Sequence, residues 1–122
     1  MIIEALRGRR PIRDALLAVE GAGTASYCCA VSWAEVYAGM RPGEETVTDA
    51  FFRARREVIL DAEVGRRAGA YLSRYARSHR LELGDALIAA AAGVTGLRLW
   101  TLNRRDYPMA DLSFFESPRV AD

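Results

Sequence analysis

Four polar positions stand where their surroundings give little reason for them. Glu35 is the only charged residue between Glu20 and Arg41, inside the run Ala-Val-Ser-Trp-Ala-Glu-Val-Tyr-Ala. Asp85 opens Asp-Ala-Leu-Ile-Ala-Ala-Ala-Ala, whose other members are all apolar. An ionised carboxylate buried there without a partner costs several kcal/mol, roughly, so something cationic should face it. Asn103 and Asp106 follow the strand-like Leu-Arg-Leu-Trp-Thr in the order Thr101-Leu102-Asn103-Arg104-Arg105-Asp106-Tyr107.

Each position also has an ordinary structural explanation. Ser32 and Glu35 have the spacing of a capping box. Asp85 in a first helical turn gains about 0.3 to 1 kcal/mol from the helix dipole. Asn103 and Asp106 suit a turn, where such side chains bond to nearby backbone. Taken together, however, each falls just past the carboxyl end of an expected strand or at a helix start. In parallel α/β sheets those ends converge on one crevice, where ligands bind. Oxygen ligands gathered there suit hard divalent cations such as Mg²⁺ or Mn²⁺. Two such ions can activate a water and stabilise the leaving oxygen of a phosphodiester.

The elements that must position these groups are legible from periodicity. Met1 to about Leu6 reads as a helix fragment ending at Gly8. A second helix starts near Pro11, carries Ile12, Ala15, Leu16 and Val19 on one stripe and stops at Gly21. Ala25 to Val31 reads as a buried strand and Ser32 to Gly39 as a helix, followed by a helix from about Glu44 to Arg56. Val58 to Leu60 is a short strand, and Asp61 to about Ser78 a helix with Val64, Ala68, Tyr71, Leu72 and Tyr75 on one side. Leu83 to Val94 is apolar nearly all round and should be buried. Leu97 to Thr101 is a strand, with an edge strand near Phe114. Alternating strands and helices predict an α/β layer fold with a mainly parallel sheet, as a single domain over residues 1–122.

Composition narrows the classes. The chain has 122 residues, 51% hydrophobic and 27% charged, which suits one globular core needing neither disulfides nor a structural metal. Cys28 and Cys29, adjacent on a strand, would point to opposite faces as buried thiols, and His79 is the only histidine, so no zinc site is expected. The net charge of +1 offers no overall attraction for nucleic acid. All 17 basic residues are Arg, clustered at Arg7, Arg9, Arg10 and Arg13, at Arg53, Arg55 and Arg56, and at Arg104 and Arg105. They could meet phosphates bidentately or simply be solvated. No membrane span or secretory leader is read, so a cytoplasmic protein is expected.

Three segments resemble a known family. Ala-Val-Ser-Trp-Ala-Glu-Val-Tyr-Ala-Gly (30 to 39), Gly-Asp-Ala-Leu-Ile-Ala-Ala-Ala-Ala (84 to 92) and Trp-Thr-Leu-Asn-Arg-Arg-Asp-Tyr-Pro (100 to 108) look like the three downstream motifs of VapC-type PIN-domain ribonucleases. They occur in the family's order and span essentially the whole chain. The resemblance implies a PIN-like three-layer α/β fold with helices on both sheet faces. It implies metal-dependent RNA cleavage by the toxin of a toxin–antitoxin pair, hence an antitoxin partner, an RNA substrate and frequently a homodimer. By it, Glu35, Asp85 and Asp106 are catalytic acids, and Glu35, Asp85, Asn103 and Asp106 surround Mg²⁺ or Mn²⁺. In the family, a first strand ends in Asp-x-Ser or Asp-x-Asn and leads into a helix resembling Ile2 to Gly8. Aligning that helix puts the first aspartate a few residues before Met1, so the first strand and first acid are expected to be missing. Glu4 is a poor substitute. Losing a central strand would leave unpaired backbone on both neighbours, which favours a start upstream of Met1 over a genuine short variant. The rival readings are a degraded PIN scaffold that binds antitoxin or RNA without cutting it, and an unrelated metal phosphatase on a similar sheet.

One comparison tests the role of the first acid. The chain starting at Met1 should cleave a generic RNA weakly or not at all, and a chain extended upstream through an Asp should recover cleavage, because misplacing a reacting group by about 1 Å already costs about a hundredfold. Equal, EDTA-sensitive cleavage by both chains would show that this acid is dispensable.

Overall fold

In the computed structural model, which describes residues 2–3, 18–101 and 104–116, the strands form one parallel sheet. They are Ile2–Ile3 (β1), Tyr27–Cys29 (β2), Arg56–Val58 (β3) and Leu99–Trp100 (β4), in the order β3-β2-β1-β4. Ile2 pairs with both Tyr27 and Leu99, Ile3 with Trp100, and Tyr27 to Cys29 with Arg56 to Val58. A parallel bridge from Leu99 to Phe114 adds the edge expected there.

This corrects two expectations at the start of the chain. Ile2–Ile3 is a strand rather than part of a helix fragment, and it fills the central place that the sequence reading left without a first strand. Too short an apolar stretch carries no period that separates strand from helix. Between β2 and β4, only an extended segment can satisfy backbone groups on both sides. Residues 4–17, with most of the helix expected near Pro11, lie outside the described residues, although residues 18–21 are helical as that reading requires.

Between β2 and β4 lie four helices: Ala30–Ala38 (α1), Glu45–Arg53 (α2), Ala62–His79 (α3) and Leu83–Thr95 (α4). β3 begins two positions earlier than the apolar triplet predicts. As an edge strand it needs one inward side chain, Val58, while Arg56 and Glu57 face solvent. α3 starts where Asp61 accepts a bond from the Val64 N–H at 3.0 Å. α4 carries the core: Ala86 and Ile88 to Ala92 are all buried. It packs on Val64, Ala68 and Tyr71 of α3, and its alanines let the two backbones approach closely. Gly96 then turns the chain in the left-handed region (φ 72) into β4.

Both thiols are buried, as expected, and burial pushes Cys28 up to about 11, with help from Cys29 and Glu57. Arg55, expected as a candidate phosphate contact, instead does internal work. Its side chain is 5% exposed and pairs with Glu20 at 2.7 Å, donates to the Phe51 carbonyl at 2.7 Å and stacks over the Phe51 ring.

A clamp fixes the segment after β4. Asp111 Oδ2 accepts from the Tyr71 hydroxyl at 2.7 Å and from Arg67 at 2.8 Å. Burial, then the bond to Asp111, pushes the Tyr71 hydroxyl up to about 12. A Cβ at Gly93 would stand 2.9 Å from that hydroxyl and 3.0 Å from Arg67 Nη1, so the clamp needs glycine there. Gly93→Ala should cost on the order of 1 to 2 kcal/mol despite alanine's better helix propensity. Tyr71→Phe, which removes the nearest clashing atom, should recover at least about 0.5 kcal/mol of that in a double-mutant cycle followed by urea denaturation. Additive losses would mean that the hydroxyl is not what Gly93 accommodates.

Candidate active site

β2 runs straight into α1. Cys29 is extended (φ −132, ψ 172) and forms the N-cap, so the helix opens two residues before Ser32. Ser32 is therefore a buried residue inside the first turn and not at the cap position, and the capping box that its spacing with Glu35 allows is not the arrangement formed. Glu35, on the next turn, reaches toward α4. Its Oε1 lies 3.6 Å from where a Cβ on Gly84 would stand, and Val31 Cγ1 lies 3.4 Å from the same point. Both are ordinary van der Waals distances, and the Glu35 carboxylate lies beside the first turn of α4. The next residue in that turn is Asp85.

A second segment approaches from β4. Past the buried Thr101, a 3₁₀ turn at Arg104–Asp106 is closed by the Tyr107 N–H bonding to the Arg104 carbonyl at 2.9 Å. The Tyr107 ring is buried, and its hydroxyl donates to Asp85 Oδ1 at 3.4 Å. Segments leaving the carboxyl ends of β2 and of β4 therefore both reach the first turn of α4. Convergence as read from the sequence also requires Asp106 or Asn103 in that crevice.

The expected residues are not all placed alike. Glu35 and Asp85 are half-buried, and Glu35 lies beside Gly84, the residue before Asp85. Asp106 is exposed on the 3₁₀ turn, and its link to the pair is its neighbour Tyr107. Asn103 and Glu4 lie outside the described residues. Among the described residues no three of His, Cys, Asp and Glu form a group that could hold an ion. What the structure shows is Glu35 beside the first turn of α4 and Asp85 within that turn. That pair still suits Mg²⁺ or Mn²⁺, since Mg²⁺ commonly takes one or two carboxylates and completes its octahedron with waters and substrate phosphates. The charge of Glu35 is felt locally: the Cys29 thiol is pushed up, chiefly by burial and in part by that carboxylate. Neither Gly84 nor Tyr107 was singled out by sequence. The only signal was their place beside acids in the second and third motifs.

The chain is similar to known proteins. Residues 1–112 match the PIN domain family. The chain is similar to ribonuclease VapC10 of Mycobacterium tuberculosis, 39% identical over 110 residues covering 89% of this chain and 82% of that protein. It is also similar to ribonuclease VapC19 of the same organism, 38% identical over 76 residues, 62% of this chain and 61% of that protein. Among solved structures, the DNA-bound VapBC of Salmonella typhimurium superposes with a TM-score of 0.72 at 16% identity, covering 93% of this chain and 95% of the other. A toxin–antitoxin complex from Klebsiella pneumoniae gives 0.71 at 22% identity, covering 91% and 93%. At those identities the structures speak for the fold.

If Glu35 and Asp85 are held together for an ion, neutralising one relieves repulsion in its absence. Asp85→Asn, which keeps an oxygen for Tyr107, should melt in metal-free buffer within a few degrees of the parent or above it. A loss of more than about 2 kcal/mol would mean that Asp85 serves as a structural partner, since its helix-dipole contribution is at most about 1 kcal/mol at such a site.

Proposed function

The chain belongs to the PIN-domain family, among relatives of the VapC ribonucleases, and we propose that it is a metal-dependent endoribonuclease acting as the toxin of a toxin–antitoxin pair. The observation that supports the site is Glu35 lying beside Gly84, the neighbour of Asp85 in the first turn of α4. Asp106, and Asn103 ahead of it, would complete the site from the segment after β4.

Glu35 and Asp85 would hold Mg²⁺ or Mn²⁺, which when bound supplies Lewis-acid neutralisation of the scissile phosphate and activates water near neutral pH. The protein's own contribution is orientation. Glu35 is carried by α1 to a place beside Gly84. Asp85 is fixed by the buried α4 and bonded by Tyr107. At the N-cap of α4, Glu82 makes no side-chain cap bond, and the partial positive charge of that helix end suits a phosphate. Arg105, exposed on the 3₁₀ turn, is available to contact the RNA backbone, while Arg104 is bonded to Glu116 at 2.7 Å.

The solved structure from Klebsiella pneumoniae is a toxin–antitoxin complex, and this supports an antitoxin as the partner here. A homodimer and a cytoplasmic site of action belong to the same reading. Among the described residues no helix is long and apolar enough to cross a membrane.

Cleavage of a generic RNA should be weak by the chain starting at Met1 and stronger by a chain extended upstream through an Asp. It should need Mg²⁺ or Mn²⁺, be abolished by EDTA and fall at least about a hundredfold with Asp85→Asn or Glu35→Gln in the extended chain. Cleavage that persists in EDTA, or in both variants, would refute the assignment. Stable RNA or antitoxin binding without cleavage under any metal would instead identify a non-catalytic scaffold.

A further inference from the structure

Tyr107 is a buried tyrosine that packing alone does not explain. Its ring is 3% exposed within the main core cluster, where phenylalanine would fill the same space without a hydroxyl to desolvate. The hydroxyl nevertheless stands on Asp85 Oδ1. The backbone beneath is held on both sides. The Tyr107 N–H closes the 3₁₀ turn at 2.9 Å, and the Leu112 N–H bonds back to the Met109 carbonyl at 3.4 Å. Met109 is buried, Asp111 is gripped by Tyr71 and Arg67, and Phe114 bridges to β4. A donor so supported has little freedom to turn elsewhere.

We infer that Tyr107 is a positioning residue for Asp85: its hydroxyl holds Oδ1 and thereby aims the other carboxylate oxygen, Oδ2, at a divalent cation. The inference rests on reading Glu35 and Asp85 as ion ligands. The present contact, 3.4 Å, is longer than a relaxed O–H···O bond by about 0.5 Å, and such bonds commonly tighten when the site is loaded. A bonded carboxylate is fixed in direction, and outer partners of this kind typically account for about 10 to 100-fold in metal affinity or activity. Because Tyr107 directly follows Asp106, the same residue ties the exposed acid's turn to Asp85.

The test compares Mn²⁺ binding by calorimetry, on the full chain, for the parent and three variants. Tyr107→Phe keeps the ring and should weaken Mn²⁺ binding about tenfold or more, while kcat on RNA falls and KM stays within about twofold. Met109→Ala loosens the same segment and leaves the hydroxyl in place, so it should lower the melting temperature yet keep Mn²⁺ affinity within about twofold. Asp85→Asn should abolish detectable binding. Unchanged Mn²⁺ affinity in Tyr107→Phe, with binding lost in Asp85→Asn, would overturn the role of Tyr107 and leave the site standing. Equal weakening by Met109→Ala and Tyr107→Phe would assign the effect to packing and also overturn it. Parent-like binding by Asp85→Asn would refute the ion-ligand reading itself, and the inference with it.

Discussion

Burial of α4 from Ala86 to Ala92, with Leu87 half-buried and Leu83 at the start exposed, governs the rest of the structure. A helix that reads Ala-Leu-Ile-Ala-Ala-Ala-Ala after Asp85 has no face to offer water, so strands, α1, α3 and the segment after β4 must close around it. Its small side chains supply dispersion contacts mainly by letting neighbours come near. The helix therefore works only where those neighbours fit. At one end Glu35 lies beside Gly84, and at the other Gly93 leaves room for the Tyr71 hydroxyl and Arg67. Two glycines in one helix are a cost in intrinsic propensity, about 1 kcal/mol each. At Gly93 a Cβ would crowd the Tyr71 hydroxyl, whereas at Gly84 it would meet Val31 and Glu35 only at ordinary contact distance.

That burial also explains where the acids sit. A carboxylate deeper in α4 would be desolvated on all sides, whereas in the first turn it meets the helix dipole and the rim of the sheet. Asp85 is thus placed as far into the core as a charge can go, with Tyr107 supplying a buried donor. Elsewhere charges are handled by pairing: Arg55 with Glu20, Arg67 with Asp111, Arg104 with Glu116. The first is enclosed and fixes the junction of α2 and β3 to the chain before β2. The other two are more open, and solvent screening leaves them a modest role. Arginines that looked alike in sequence divide in this way by what surrounds them.

The α/β class, the parallel sheet and most element positions were determined by the sequence alone, because burial imposes periods that a short window displays. The apolar stretch around Tyr27–Cys29, the one-sided α3 and the all-round apolar α4 are each visible that way. So was the choice of Glu35 and Asp85, since a lone charge in an apolar run is a local fact. Tertiary structure decided what no window contains. That Ile2–Ile3 is a central strand follows from the two strands on either side of it. That β3 begins at Arg56 follows from its register with Tyr27. That α1 begins at Ala30, removing the capping box as an explanation of Glu35, follows from how β2 enters it. The contacts of Glu35 with Gly84 and of Tyr107 with Asp85 join residues 49 and 22 positions apart. Such contacts depend on close packing in three dimensions, and sequence spacing carries no trace of them beyond the nearest few residues.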